Sequence, residues 1–176
     1  MPNWCSNRVT VWSDDEEAMK EFKEAVSIEF NDDNEGPSIK LFSLEAILPM
    51  PEELRHVQSP VQIMTEEEIE EYKKRHSNSE WCIGNLPITQ ETSDRLDVEY
   101  GDNNWYDWSN TNWGVKWDCC DVLAEEEFGD TEITYRFDTP WGPPTPMYGI
   151  LSDRFPKVHI SWFWDEPGME LAGYLK

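Results

Sequence analysis

The sequence predicts an α+β fold, an antiparallel sheet carrying two helices, with a long polar insertion ahead of the second strand. Three observations lead there. Apolar residues alternate over 8–12, 131–138 and 157–165, the two-residue period of half-buried strands. Helices are read over 14–29, after the first of these runs, and over 145–154, ahead of the last. Residues 52–104, by contrast, are polar and irregular for most of their length.

The first strand is R-V-T-V-W, residues 8–12, with Val9 and Val11 on one face and Arg8, Thr10 and Trp12 on the other. Ser13 and Glu16 have the spacing of a capping box. The helix they open places Met19, Phe22, Val26 and Phe30 on one stripe, and the polar run to Pro37 ends it. Residues 39–48 are apolar and partly strand-like, stopped by Pro49 and Pro51. Within the insertion, Thr65 and Glu68 form a second capping box ahead of a Glu-rich helix over 65–75. Residues 115–123 read as the second strand and 125–130 as a turn. The third strand, 131–138, puts Ile133, Tyr135 and Phe137 on one face. A proline-rich loop from Pro140 to Pro146 leads into the second helix. The fourth strand aligns Val158, Ile160, Trp162 and Trp164, and a tail over 169–174 has the length of a fifth. This order, β-α-β-β-α-β, is the ferredoxin-like arrangement, with both helices on one face of the sheet. One domain spans 1–176, with 52–104 an acidic insertion packed on it.

Composition narrows the partners. With 37 Asp and Glu against 14 Lys and Arg, the net charge is −23. Such a surface repels nucleic acid and anionic membranes at long range and attracts basic partners. Direct nucleic-acid and membrane binding are therefore not expected, and no apolar run has the length of a membrane span. Cys5, Cys82, Cys119 and Cys120 make no disulfide framework. The start, M-P-N-W-C-S-N, lacks the charged and apolar regions of a signal peptide, so a cytoplasmic location is expected.

Four of the ten tryptophans fall between Trp105 and Trp117, in W-Y-D-W-S-N-T-N-W-G-V-K-W. Indoles this dense form a buried cluster or a binding surface. The sheet face opposite the helices carries Arg8, Thr10, Trp12, Thr134, Arg136, His159, Ser161 and Phe163. The second strand adds Lys116, Asp118 and Cys120 or their neighbours, depending on register. The fold sets the first and third strands side by side, so Arg8 and Arg136 should be close. Cations beside aromatic rings suit a bound base or nucleotide. The expected ligand-binding residues are Arg8, Trp12, Trp105, Trp108, Asn110, Asn112, Trp113, Lys116, Arg136 and His159. Equally, the arginines could pair with acids while the indoles staple the insertion over this face. Asn110 and Asn112 suit a base edge or a helix-ending turn.

Enzyme signatures are weak. His56, His76 and His159 lie outside metal-ligand spacing of any cysteine, and Trp141-Gly-Pro-Pro is a rigid turn, not a phosphate cradle. No enzyme activity, metal or cofactor is expected.

Four segments occur together: M-P-N-W-C-S-N, W-Y-x-W with N-W-G-x-K-W, F-x-T-P-W-G-P-P, and W-D-E-P-G. In this combination the chain resembles the YubB-like proteins of plasmids and phages, which carry a ferredoxin-like domain. The resemblance implies a mobile-element origin and, by analogy, a counter-defence setting. It transfers no catalytic residue. Two functions are expected from these readings. One is sequestration of a small nucleotide-like or other anionic ligand. The other is an acidic DNA mimic that inhibits a host defence or DNA-binding protein.

Overall fold

The computed structural model describes residues 3–32, 36–76, 84–125 and 129–176. In chain order the elements are β1 (Trp4–Trp12), α1 (Glu16–Val26), β2 (Ile28–Asp32), β3 (Gly36–Lys40), α2 (Leu44–Ile47) and α3 (Glu52–Arg55). There follow α4 (Glu66–Arg75), α5 (Gln90–Tyr100), α6 (Trp105–Asn112), β4 (Cys120–Glu125), β5 (Glu132–Pro140), α7 (Thr145–Arg154), β6 (His159–Glu166) and β7 (Leu171–Tyr174). They group into two compact units, Met1–Pro49 with Trp113–Lys176, and Met50–Asn112.

The first unit holds an antiparallel five-stranded sheet in the order β4-β5-β1-β6-β7. Alternation along β1 decides its faces. Cys5, Asn7, Val9 and Val11 are buried, whereas Trp4, Ser6, Arg8 and Trp12 are exposed. The buried side meets Met19, Phe22 and Val26 of α1 and Met147 and Leu151 of α7, all in the core. Ile133, Tyr135, Phe137 and Trp162 extend that core as their alternation predicts. Phe42 fills its centre, 4.8 Å from the Phe137 ring, 5.1 Å from Tyr135 and 5.8 Å from Trp162.

Asn7 is polar within this apolar layer. Its amide donates to Cys5 O (3.0 Å) and Thr139 Oγ1 (2.8 Å), and its Oδ1 accepts from Trp162 Nε1 (3.0 Å). One side chain thus ties β1 to both β5 and β6. Asp118 has a comparable role at the edge of the core. Its carboxylate accepts from Lys40 Nζ (2.9 Å), Ser43 Oγ (2.7 Å) and the Leu44 amide (2.6 Å). It anchors the β2–β3 hairpin and the start of α2 to the strand that follows.

Several expected boundaries shift. Asp15, not Ser13, caps α1, accepting from the Ala18 amide at 3.2 Å. Ser13 is buried and donates instead to Lys157 O. The helix ends at Val26, and Phe30 lies on β2, exposed rather than on a helical stripe. The second strand begins at Cys120, not 115, with a bulge between Cys120 and Leu123 where Asp121 takes φ 51°. Residues 126–128 of the expected turn lie outside the described residues. Helix α7 and strand β7 stand where the pattern puts them.

The second unit is helical. The Thr65–Glu68 capping box opens α4 as expected. Helix α5 breaks the expectation of irregular chain: Thr89 caps it and Gly101 closes it at φ 82°. Its only buried residues are Ser93 and Leu96, so it lacks the apolar stripe that periodicity detects. Leu54, Val57, Leu96 and Trp108 are buried in this unit. Parallel bridges join Val57 to Leu86 and Ile63 to Ile88. Arg95 links Glu53 (2.6 Å) to Glu99 (3.0 Å).

Two substitutions check this account. Asn7→Ala removes the partners of the Trp162 indole N–H and Thr139, and should cost about 2–4 kcal/mol in chemical denaturation. Gly168→Ala places a Cβ 2.6 Å from Asn3 Nδ2 and 2.9 Å from Glu166 Oε1. Glu166 is fully buried, so the neighbours have little room to yield, and a loss of about 1–3 kcal/mol is expected.

Candidate functional site

The outward residues of β1, β5 and β6 form an open face. Arg8 stands directly opposite Arg136 on β5 and opposite Phe163 on β6. Its guanidinium carbon lies 5.3 Å from the Phe163 ring centroid, within cation–π range. Arg136 meets Glu125 at 3.6 Å, a long and exposed ion pair. A cleft of about 430 Å³ opens here, lined by Ser6, Asn7, Arg8, Asp121, Leu123, Arg136, Phe137, Asp138, Phe163 and Asp165.

Local structure explains each contribution. The bulge in β4 sets Leu123 opposite Arg136 and brings Asp121 to the cleft wall. The second strand thus contributes Asp121 and Leu123 here, not Lys116, Asp118 or Cys120. Asp121 and Leu123 have the parity of the neighbouring register, the second of the two that alternation left open. Asp138 is held by Ser6 Oγ at 2.9 Å. Further along, the hydroxyls of Thr10 and Thr134 meet at 3.0 Å. At the far end Trp12 stacks on His159, with centroids 5.4 Å apart and planes inclined by 23°.

The expected ligand-binding residues divide into groups. Arg8, Trp12, Arg136 and His159 share the open face. Trp113 is buried in the same unit, its indole donating to Leu48 O at 2.9 Å. Lys116 lies 4.8 Å from the Trp117 ring, which in turn contacts Trp4. Trp105, Trp108, Asn110 and Asn112 stand on α6 of the second unit. There Trp108 is buried, and the Asn110 and Asn112 amides donate to Tyr106 O (2.6 Å) and Trp108 O (3.0 Å) of their own helix. Asn104 caps that helix, accepting from the Tyr106 and Asp107 amides.

Trp4 and Trp12 are each 41% exposed, and Leu123 is 62% exposed. The residues missed from sequence were Asp121, Asp138 and Asp165. A chain with 37 acids gives no signal for three of them, although the strand parity of Asp138 and Asp165 matches that of Arg136 and Phe163.

The described thiols are not poised as nucleophiles. Cys5, Cys119 and Cys120 are unpaired by disulfides, while Cys82 lies outside the described residues. Burial pushes the Cys5 thiol up to about 11 and raises Cys119 and Cys120 as well. Among the described residues no cluster of His, Cys, Asp and Glu could hold a metal ion, and no helix is long and apolar enough to cross a membrane.

Residues 112–176, from the end of α6 through β7, match the family described as the ferredoxin-like domain in Api92-like protein. The chain carries a ferredoxin-like domain. It is α+β, an antiparallel sheet with helices. A crystal structure of the protein api92 from Yersinia pseudotuberculosis is similar over 99% of this chain and 93% of its own, at 12% identity and a TM-score of 0.48. A search of curated proteins finds no matching sequence.

The buried thiols make a pH prediction. Below pH 9 Cys5 is protonated in both folded and unfolded chains and adds no pH dependence. As pH rises from 9 toward about 11, the unfolded chain sheds this proton first, so stability should fall across that window. Native labelling with a thiol reagent at pH 8 should leave Cys5 and Cys119 unmodified, and denaturant should expose both.

Proposed function

We propose that this chain is a non-enzymatic binding protein that sequesters a small anionic, nucleotide-like ligand on the open face of its sheet. The observation that carries this reading is Arg8 facing Arg136 across the β1–β5 ladder, beside Phe163. Like charges directly opposite on a sheet are destabilising, by roughly 0.2–1 kcal/mol. A phosphate bridging the two guanidiniums turns that repulsion into charge-assisted hydrogen bonds, each worth about 1.5–3 kcal/mol. The Phe163 ring offers a stacking surface for a base. Asp121, Asp138 and Asp165 would accept from ligand N–H or hydroxyl donors and disfavour excess phosphate.

In this reading residues 52–104 are an insertion in a β-α-β-β-α-β frame. The setting is that of a phage or plasmid protein acting against a host defence in the bacterial cytoplasm, in line with the resemblance to YubB-like proteins. A second reading, DNA mimicry, draws on exposed Glu66, Glu67, Glu68, Glu70 and Glu71 of α4. The same helix ends in Lys73, Lys74 and Arg75, and Lys73 and Arg75 pair with Glu70 and Glu71. That local compensation weakens the helix as an imitation of a phosphate backbone, so sequestration is preferred.

A thermal-shift screen against nucleotides tests the choice. Sequestration predicts a rise in melting temperature corresponding to about 2.7 kcal/mol at a hundredfold excess over Kd. Arg8→Ala or Arg136→Ala should abolish that rise while leaving the unliganded protein folded. No shift across the panel, together with salt-sensitive capture of a host protein that is lost on neutralising Glu66–Glu71, would favour mimicry.

A further inference from the structure

We infer that the free edge of β4, with the apolar groove beside it, docks an extended polypeptide segment in which apolar and basic residues alternate. β4 is an end strand of the five-stranded sheet, paired on one side with β5. Among the described residues, 120–125 make no backbone-to-backbone hydrogen bond outside that ladder. Alternate residues of β4 therefore direct N–H and C=O groups away from β5, a template on which another strand adds. The regular part of this edge is short, Leu123 to Glu125, so side-chain fit must supplement the main-chain bonds.

The two faces of β4 define the sequence such a strand must have. Toward the helix layer, a groove of about 600 Å³ is lined by Ala124, Ile133 and Tyr135 of the sheet and by Ile39 and Leu41. Ile39 is 58% and Leu41 43% exposed, so both have apolar area left to cover. Helix α1 adds Lys23 and Glu24, one charge of each sign. On the opposite face β4 presents Asp121, Leu123 and Glu125, all exposed. A strand laid against β4 sends successive side chains to these two faces in turn. Its inward residues meet Ala124, Ile39 and Leu41, which suits apolar side chains. Its outward residues meet Asp121 and Glu125, which suits Lys or Arg.

Charge also chooses between occupants. Arg136 pairs with Glu125 at 3.6 Å, but it stands on β5, two strand spacings or roughly 10 Å from an added strand. Asp121 makes no ion pair among the described residues, so it is the stronger attraction for a cation. A second copy of this chain, of net charge −23, would set another acidic row beside Asp121 and Glu125. Like charges across a ladder are destabilising, so the bulge and these carboxylates guard the edge against self-pairing. A basic segment meets no such penalty and is drawn in by the acidic field around it.

Fluorescence anisotropy with the full chain and labelled peptides of about eight residues, an ordinary strand length, tests this. The probes are an alternating Val/Lys peptide, the same residues arranged in two blocks, and an alternating Val/Glu peptide. The first should bind about tenfold or more tighter than either of the others. N-methylating its alternate residues should abolish binding in one parity and spare it in the other, because only one edge of the peptide bonds to β4. Ile39→Asp, at an exposed position, should weaken binding about tenfold. Asp121→Asn keeps a side chain that tolerates the left-handed backbone at φ 51°, and should weaken binding and flatten its salt dependence. Circular dichroism checks that both variants keep the fold. Equal affinity for the alternating and block peptides, indifference to the parity of N-methylation, or undiminished binding to Ile39→Asp overturns the inference. So does tight binding of the Val/Glu peptide, or no binding of any probe. A dimer in sedimentation that Ile39→Asp dissociates overturns it in favour of a second copy.

Discussion

The first unit depends on one buried amide. Asn7 sits in the middle of the central strand and bonds to β5 through Thr139 and to β6 through the Trp162 indole. A sheet of alternating residues can slip by one position, and each slip exchanges its two faces. Asn7 makes such a slip expensive, because a misaligned strand would leave three polar groups buried without partners. The register it enforces is the one in which Val9 and Val11 join the core and Arg8 faces Arg136 and Phe163. The buried polar network and the exposed candidate site are thus two sides of the same three strands.

The open face follows from an imbalance in covering material. Helices α1 and α7, together with Phe42 and α2, supply apolar side chains to one side of the sheet. That layer includes the Phe42 ring packed against Tyr135, Phe137 and Trp162, and Asp118 holds the hairpin and α2 that frame it. The other side presents arginines, hydroxyls and part-exposed rings. Asp121 shows how little backbone is needed to modify it. One residue at φ 51°, within a bulge, interrupts the pairing of β4 before it resumes at Leu123, and brings a carboxylate to the cleft wall.

Electrostatics gives this face its contrast. In a chain with 14 basic residues, two face each other across one ladder, with Glu125 3.6 Å from Arg136. At physiological salt, fields decay over about 8 Å, so a ligand held at the arginines responds to its immediate neighbours more than to the net charge. Those neighbours are mixed: two guanidiniums, the carboxylates of Asp121, Asp138, Asp165 and Glu125, and the Phe163 ring. A mixed lining favours a ligand with one localised negative group and several donors over a polyanion.

The alternation of β1, β5 and β6, the α7 helix after its proline-rich loop and the Thr65–Glu68 cap were legible in the sequence because each depends on neighbours within a few residues. So was the sharing of one face by Arg8, Trp12, Arg136 and His159, which strand parity alone determines. Other features were decided by contacts distant in sequence. Ser13 donates to the carbonyl of Lys157, 144 residues away, and accepts from the Asp15 amide, while Asp15 takes the cap of α1. Phe30 left the helical stripe when the chain turned into the β2–β3 hairpin. Helix α5 escaped notice because it buries so little, and its signals lay only in Thr89 and Gly101. The Trp105–Trp117 stretch, one cluster by composition, divides at Trp113 between a helix of the second unit and a core residue of the first. Composition counts indoles, whereas packing assigns each ring a place, and only the tertiary structure holds that information. The same holds for the register of β4, the second of the two that alternation left open.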